Sequence, residues 1–390
     1  MKTLLQHVRV VDGGAVRPGS ILMAEGKVAA VLAPDAVVED AQTVDGRGLY
    51  ASAGFIDTHT HGAGGHDFMD GTVEAFTGAC RMHLRHGTTT ILPTTLSAST
   101  EQLVRSVKAF QQARKDMEQE QFQPGLHLEG PYFAMNQKGG QDPRYIRDPE
   151  PAEYEKIVEL ADGAILRWSV APERKGAMQM GDYLTAHGIW PTIAHTDATY
   201  ADCLEAIRHG YNHVTHLYSC TSTITRKDGF RILGVTESAY LLDELTVEVI
   251  ADGCHLPPEL LRLVVKCKGV DRIIMVTDSL RPAGQDVKES ISGSKEDGQV
   301  CIIEDGVAKL PDHSAFAGSI ATTDRLVRTM WKLAGVPLPD TIRMMSENPA
   351  RLLHIEARKG RLLPGLDADV VLFDEEVNVD SVYYMGKRVC

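Results

Sequence analysis

A chain of 390 residues with 43% hydrophobic and 24% charged residues has the composition of a soluble globular protein with a sizeable core. Forty basic against 53 acidic residues leave a formal charge of −13, which argues against nucleic acid as a partner, because phosphate backbones select basic surfaces. No segment has the apolar length to span a bilayer, and the start, MKTLLQHVRVVDGG, lacks the apolar stretch and small-residue cleavage site of a secretory leader.

In chain order, residues 1–50 read as all-β: LLQHVRVV, SILMAEG, KVAAVLA and AQTVDGRGLYA are short runs punctuated by Gly, Asp and Pro, with a hairpin turn at Gly26-Lys27. From Ala53 the pattern becomes strands alternating with helices, the mark of parallel β/α units. Eight buried strands are expected: FIDTH (55–59), TTTILPT (89–95), GLHLEG (125–130), AILRWSVAP (164–172), WPTIAHT (190–196), NHVTHLY (212–218), VEVIADG (247–253) and RIIMVTDS (272–279). Between them, Ser99 and Gln102 form a capping box ahead of Leu103, Val107 and Phe110. TYADCLEAIRHG reads as a short amphipathic helix, and Pro257-Pro258 opens another.

A polar excursion, 283–313, then carries apolar CII and VAKL on either side of EDG and reads as a hairpin. Helices follow at about 322–334 and 340–353. The tail, GRLLPGLDADVVLFD and VDSVYYMGKRVC, is again β-like and is expected to pair with the N-terminal strands. The fold expected is α/β: a (β/α)8 TIM barrel over 53–360, with a small β-sandwich domain built from both chain ends, 1–52 and 361–390. The seven cysteines (Cys80, Cys203, Cys220, Cys254, Cys267, Cys301 and Cys390) are odd in number and form no CxxC pair. They read as reduced thiols of a cytoplasmic protein.

Barrel enzymes work at the C-terminal ends of their strands, and the polar residues here gather there. His59 and His61, two residues apart at the end of the first strand, point the same way. Glu129 ends the third strand, His195 the fifth, His216 the sixth and Asp278 the eighth. Imidazole and carboxylate together suit a divalent ion such as Zn²⁺ or Fe²⁺. A lone histidine is more often structural, and His7, His86, His187 and His209 read that way; His127 shares a face with Glu129 and is expected beside the centre. Four histidines and two carboxylates converging without a metal would be costly to bury. One or two ions per chain are therefore expected.

GFIDTHTHGAGG, HLEGP with a following KGG, AHTDAT, THLY, IADGCH, VTDSLRPAG and GRLLPGLDADVVLFD resemble the amidohydrolase superfamily, and within it the N-acetylglucosamine-6-phosphate deacetylases. The resemblance covers nearly the whole chain. It implies that Glu129, His195 and His216 bind the principal ion and that His59 and His61 hold a second, bridged through Glu129. It implies further that Asp278 moves the proton between water and the departing amine. The substrate would be the acetamide of an N-acetylamino sugar phosphate, the products acetate and the amino sugar phosphate, and the assembly a homodimer.

The substrate-binding positions depart from the pattern. Gln141 stands where the family usually has a histidine near the substrate carbonyl, beside Gly140, and is expected to position the sugar. Ser219-Cys220 replaces an Asn-Ala pair that meets the phosphate; Lys227, beside Arg226 and near Arg231, falls where an arginine reaches the phosphate in a neighbouring subunit. His255, with Asp252 in IADGCH, matches a substrate-binding histidine, and Phe316-Ala317-Gly318 replaces a turn that lines the sugar site. Competing readings are an amidohydrolase for an unphosphorylated N-acyl sugar, an N-acyl amino acid or a cyclic amide, and a catalytically silent barrel serving as a binding module. Occupied ligand positions weigh against the last.

Overall fold

The computed structural model describes residues 2–390. Eight parallel strands surround the interior: β1 (Phe55–Thr60), β2 (Thr88–Pro93), β3 (Leu126–Glu129), β4 (Ile165–Val170), β5 (Trp190–Ile193), β6 (His213–Val214), β7 (Thr246–Ile250) and β8 (Ile273–Val276). β3 to β8 form one continuous six-stranded sheet in sequence order, and β1 pairs with β2. Bridges Thr90–Phe122 and Thr94–His127 join β2 to the β3 segment. The Asp278 N–H donates to the His59 carbonyl at 2.9 Å on the other side, so the ring closes where β8 meets β1. Closure matters for the site, because it brings the first and last strand ends side by side.

Helices alternate with the strands and bury one face against them. The Ser99–Gln102 capping box starts the helix Thr100–Met117, whose Leu103, Val107 and Phe110 pack in the core. Thr199 and Asp202 cap Tyr200–Arg208 in the same way, and Pro258 occupies the tolerated first turn of Pro258–Lys268. The expected helix near 322–334 is α-helical over Thr323–Arg328 and then widens to a π turn over Thr329–Leu333. A second π turn, Arg343–Glu347, interrupts the helical stretch between Leu338 and Leu352.

The barrel interior is more polar than apolar strand runs suggest. Asp57, His127, Arg167, Ser169, Thr192, Thr215, Glu248 and Thr277 are all fully buried. They satisfy one another: Ser169 Oγ lies 2.9 Å from Thr192 Oγ1 and 3.1 Å from Thr215 Oγ1, and Thr277 Oγ1 donates to Asp57 at 2.6 Å.

Both chain ends contribute to one eight-stranded sheet, in which the strand Tyr50–Ala53 pairs with Lys2–Asp12 on one side and Val370–Phe373 on the other. This sheet covers a separate apolar core that includes Leu5, Ile21, Val28, Val370 and Tyr383. The hairpin between Ala15–Ala24 and Lys27–Leu32 turns at Glu25 and Gly26, both with positive φ, one residue earlier than the Gly26-Lys27 expected from sequence. The excursion after β8 is a four-stranded antiparallel sheet, Glu289–Ser292, Gln299–Glu304, Val307–Lys309 and Phe316–Gly318, with the expected turn at Asp305-Gly306. Its last strand returns to the barrel mouth. Among the described residues no helix is long and apolar enough to cross a membrane, and all seven cysteines are free.

Candidate active site

Glu129 closes β3 and is 1% exposed, at the floor of the barrel mouth. Its Oε1 lies 2.9 Å from His216 Nε2, 3.3 Å from His195 Nε2 and 3.4 Å from His59 Nε2, while Oε2 lies 3.4 Å from His61 Nε2. Asp278 Oδ1 sits 3.0 Å from His61 Nε2 and 3.3 Å from His59 Nε2. One carboxylate thus joins two clusters able to hold an ion, His59–His61–Glu129 and Glu129–His195–His216.

Backbone conformation helps to converge these side chains. His195, His216 and Asp278, each two residues past its strand, have φ of 44°, 29° and 48°. Left-handed backbone costs roughly 1–3 kcal/mol at a non-glycine residue and persists where surrounding contacts over-determine it. The Asp278 N–H to His59 carbonyl bond and the Ala134 N–H to His195 carbonyl bond, both 2.9 Å, are two such contacts.

Every imidazole is held through Nδ1, leaving Nε2 for the centre. Gln137 O lies 2.7 Å from Nδ1 of His195, Ser219 O 3.0 Å from that of His216, and Thr94 O 3.2 Å from that of His61. His59 Nδ1 instead meets Glu248 Oε1 at 2.8 Å. This is the outer arrangement that fixes tautomer and ring direction in metal-binding histidines. His59 Nε2 has no hydrogen-bond partner, an unmet buried atom that a metal would satisfy. The donor set fits a divalent ion.

Electrostatics agree. Burial disfavours a charge on His59, but the carboxylates of Glu129, Glu248 and Asp278 outweigh it and push its pKa up to about 9. His61 follows the same balance, burial against Asp278 and Glu129, up to about 10. Burial works against ionisation of Glu129 and Asp278 too, yet the histidines, His59 foremost, hold both below the usual carboxylate range. The centre is a buried concentration of negative charge that calls for cations.

Glu248 and Arg167 belong to this centre, although neither stood out in the sequence. Arg167 donates to Glu248 Oε2 at 2.7 Å and to Oε1 at 3.0 Å, with both residues fully buried in the barrel. The available signal was a charged residue amid the apolar runs of two strands, Arg167 in AILRWSV and Glu248 in VEVIA. His127 packs edge-on against His59, with ring centroids 4.6 Å apart, and its Nε2 lies 2.7 Å from Ser169 Oγ. Burial and then the nearby Arg167 charge hold its pKa well below the usual value, so it stays neutral beside the centre. His7, His86 and His209 pair instead with carboxylates away from the site, and His187 caps its own helix through the Tyr183 carbonyl.

Above Glu129 opens a cavity of about 270 Å³, lined by His61, Glu129, His195, His216 and Asp278 together with Gly140, Gln141, Ser219, Cys220, His255 and Phe316-Ala317-Gly318. Gly140 is required for close approach: a Cβ there would lie 2.5 Å from the Ala317 carbonyl. Asp252 stands behind His255 and holds its Nδ1 at 2.8 Å, while Phe316 meets the His255 ring edge-on at 5.0 Å. Gln141 has both amide ends engaged, Nε2 donating to Glu129 Oε2 at 2.7 Å and Oε1 accepting the Ser97 N–H at 2.8 Å. Arg226 and Lys227 do not line the cavity. They lie on an exposed hairpin, Thr225–Lys227 against Phe230–Ile232, turned by Asp228-Gly229.

The sequence model of the amidohydrolase family matches residues 50–389. Over 388 residues the chain is 29% identical to the N-acetylglucosamine-6-phosphate deacetylase of Lysinibacillus sphaericus, spanning 99% of this chain and 97% of that protein. It is 30% identical over 335 residues to the N-acetylgalactosamine-6-phosphate deacetylase of Escherichia coli O157:H7, spanning 85% and 86%. Among solved structures, a mutant N-acetyl-D-glucosamine-6-phosphate deacetylase of Mycobacterium smegmatis, in complex with N-acetyl-D-glucosamine-6-phosphate, superposes with a TM-score of 0.90. The two are 28% identical, and the match covers 100% of this chain and 99% of that one.

Proposed function

The chain belongs to the amidohydrolase family, and on that premise we propose that it hydrolyses the acetamide of an N-acetylamino sugar phosphate, N-acetylglucosamine-6-phosphate before others. The products are acetate and the amino sugar phosphate. The observation that carries the reading is the convergence of four imidazole Nε2 atoms on Glu129 and Asp278 beneath a small cavity. Similarity over 85% or more of the chain to deacetylases of two hexosamine phosphates supports the substrate class.

Glu129, His195 and His216 would hold the principal divalent ion and His59 and His61 a second. When bound, such an ion supplies Lewis acidity that polarises the amide carbonyl and makes water a competent nucleophile near neutral pH. Asp278, a carboxylate held ionised by His59 and His61, takes the proton from the attacking water and returns it to the departing amine. His255, fixed through Nδ1 by Asp252, keeps Nε2 for a sugar hydroxyl. Phe316, Ala317, Ser219 and Cys220 line the cavity that would take the ring. The cavity lies just below the ~300–1,000 Å³ range of drug-sized ligand sites, which suits a monosaccharide. The same reading treats the barrel, 53–360, as the catalytic unit, with 1–52 and 361–390 as one small β domain, in a cytoplasmic homodimer.

One observation favours a second reading. Among the described residues no Lys or Arg lines the cavity, so a single chain offers a phosphate no fixed cation there. An unphosphorylated N-acyl sugar would need none. Acetate release from N-acetylated sugars with and without phosphate, by protein of measured metal content, tests both. Release from the phosphorylated sugar, abolished by chelation and restored by metal, is expected. No release from any N-acetylated sugar by metal-replete protein would overturn the deacetylase reading.

A further inference from the structure

Two kinds of anchor hold the four histidines. His61, His195 and His216 rest on main-chain carbonyls, which no side-chain substitution removes. His59 alone rests on a side chain, through Nδ1 at 2.8 Å from Glu248 Oε1. Glu248 in turn is gripped by both terminal nitrogens of Arg167, which also donates to Thr215 Oγ1 at 2.7 Å and to the carbonyl of Thr58, next to His59, at 3.4 Å. His59, Arg167 and Glu248 are each fully buried.

We propose that the Arg167–Glu248 pair is a positioning device that governs ion retention at the His59–His61 half of the centre and leaves the Glu129–His195–His216 half unaffected. The inference rests on the metal centre of the proposed function, not on the identity of the substrate.

The argument is one of tautomer and charge. A carboxylate accepts a proton-bearing Nδ1, so Glu248 fixes His59 as the tautomer whose lone pair lies on Nε2, facing Glu129 at 3.4 Å and Asp278 at 3.3 Å. A charged acceptor also makes the imidazole a stronger donor than a carbonyl does. Arg167 keeps that carboxylate ionised and in place, because a buried carboxylate without a partner would take up a proton or move. The three buried carboxylates that meet the His59 and His61 rings, Glu129, Glu248 and Asp278, against the one fixed cation Arg167 leave a net charge that a single divalent ion balances. A second ion is therefore the more weakly held, and it depends most on the basicity and aim of His59.

The test strips the full chain of metal and titrates it with cobalt(II), counting ions by elemental analysis and following the visible spectrum. Wild type should take up two equivalents in separable phases. Glu248→Gln should keep the first phase and weaken the second by about 10–100-fold, the usual cost of disturbing such an outer partner. Glu248→Asp, which keeps the charge, should recover part of that loss. Should Glu248→Gln not yield folded protein, Arg167→Met combined with Glu248→Gln removes both charges together, with uptake of the first ion as the control for folding. A merely structural pair would weaken both ions alike or neither. Equal weakening, an unchanged second ion, or a wild type saturating at one ion would each overturn the proposal. A chain that shows the split but releases no acetate upholds it and overturns only the substrate reading.

Discussion

Gln141 donates through Nε2 to Glu129 Oε2 at 2.7 Å, so the amide read from sequence as a sugar contact is committed to the carboxylate shared by both ion clusters. Its Oε1 is equally committed, to the Ser97 N–H. Gln141 is 4% exposed and Glu129 1% exposed, which leaves water little room to replace the bond.

Gln141→Ala should therefore act on the metal first. Ion affinity should fall about tenfold or more, as for other partners behind a ligand. With metal restored to saturation, the Michaelis constant should stay near wild type. Metal content after dialysis, set beside steady-state curves at saturating metal, separates the effects. A raised Michaelis constant at full metal content would return Gln141 to the role of sugar contact.

Metal uptake should grow tighter with pH well past the ordinary histidine range. In the metal-free protein His59 and His61 titrate at about 9 and about 10, above the ordinary ~6.5. The stability they give the metal-free fold is fully present below ~6.5 and is lost as pH rises through those raised values. An ion binds the neutral ring, so it must displace these protons, and apparent affinity should climb up to tenfold per pH unit for each proton displaced. Dissociation constants measured between pH ~7 and ~10, with proton release in weak buffer, provide the check. Affinity that is flat above pH ~7 would mean the rings are already neutral.

Asp278→Asn should keep the fold and most of the metal while lowering turnover by roughly 10²-fold or more, the usual contribution of a positioned acid–base. Near-normal turnover at full metal content would place the proton acceptor elsewhere.

The sequence made the strand-end residues legible because alternation in β1 and the boundaries of the other strands locate them without tertiary knowledge. His59 and His61 follow from their spacing, and the Ser99–Gln102 cap from local hydrogen bonding. Arg167 and Glu248 were not legible, since their pairing spans the barrel interior between β4 and β7, and strand runs were read for apolar residues. The engagement of Gln141 was hidden for a related reason: its partners, Ser97 and Glu129, lie 44 and 12 residues away. The hairpin carrying Lys227 did have a readable turn signal, Asp228-Gly229, that a view of the segment as a basic loop passes over.

That hairpin carries the last prediction. Arg226, Lys227 and Arg231 form no ion pair or side-chain hydrogen bond among the described residues, and the neighbouring Phe230 and Ile224 are 75% and 51% exposed. These cations lie outside the cavity of their own chain, and a homodimer of the kind proposed would let them meet the phosphate of a substrate bound in the partner. A charge-assisted contact of that kind is worth roughly 1.5–3 kcal/mol, or about tenfold to a hundredfold in binding. Replacing Arg226 and Lys227 together by Ala should then raise the Michaelis constant for the phosphorylated sugar by about tenfold or more and leave that for the unphosphorylated sugar nearly unchanged. If the chain works as the proposed homodimer, dilution of wild type to monomer should produce the same selective loss. Steady-state curves on both sugars, with sedimentation at each protein concentration, decide the matter. A wild type without preference for the phosphorylated sugar would remove the phosphate assignment and make an unphosphorylated N-acyl sugar, which needs no cation in the cavity, the better account of this pocket.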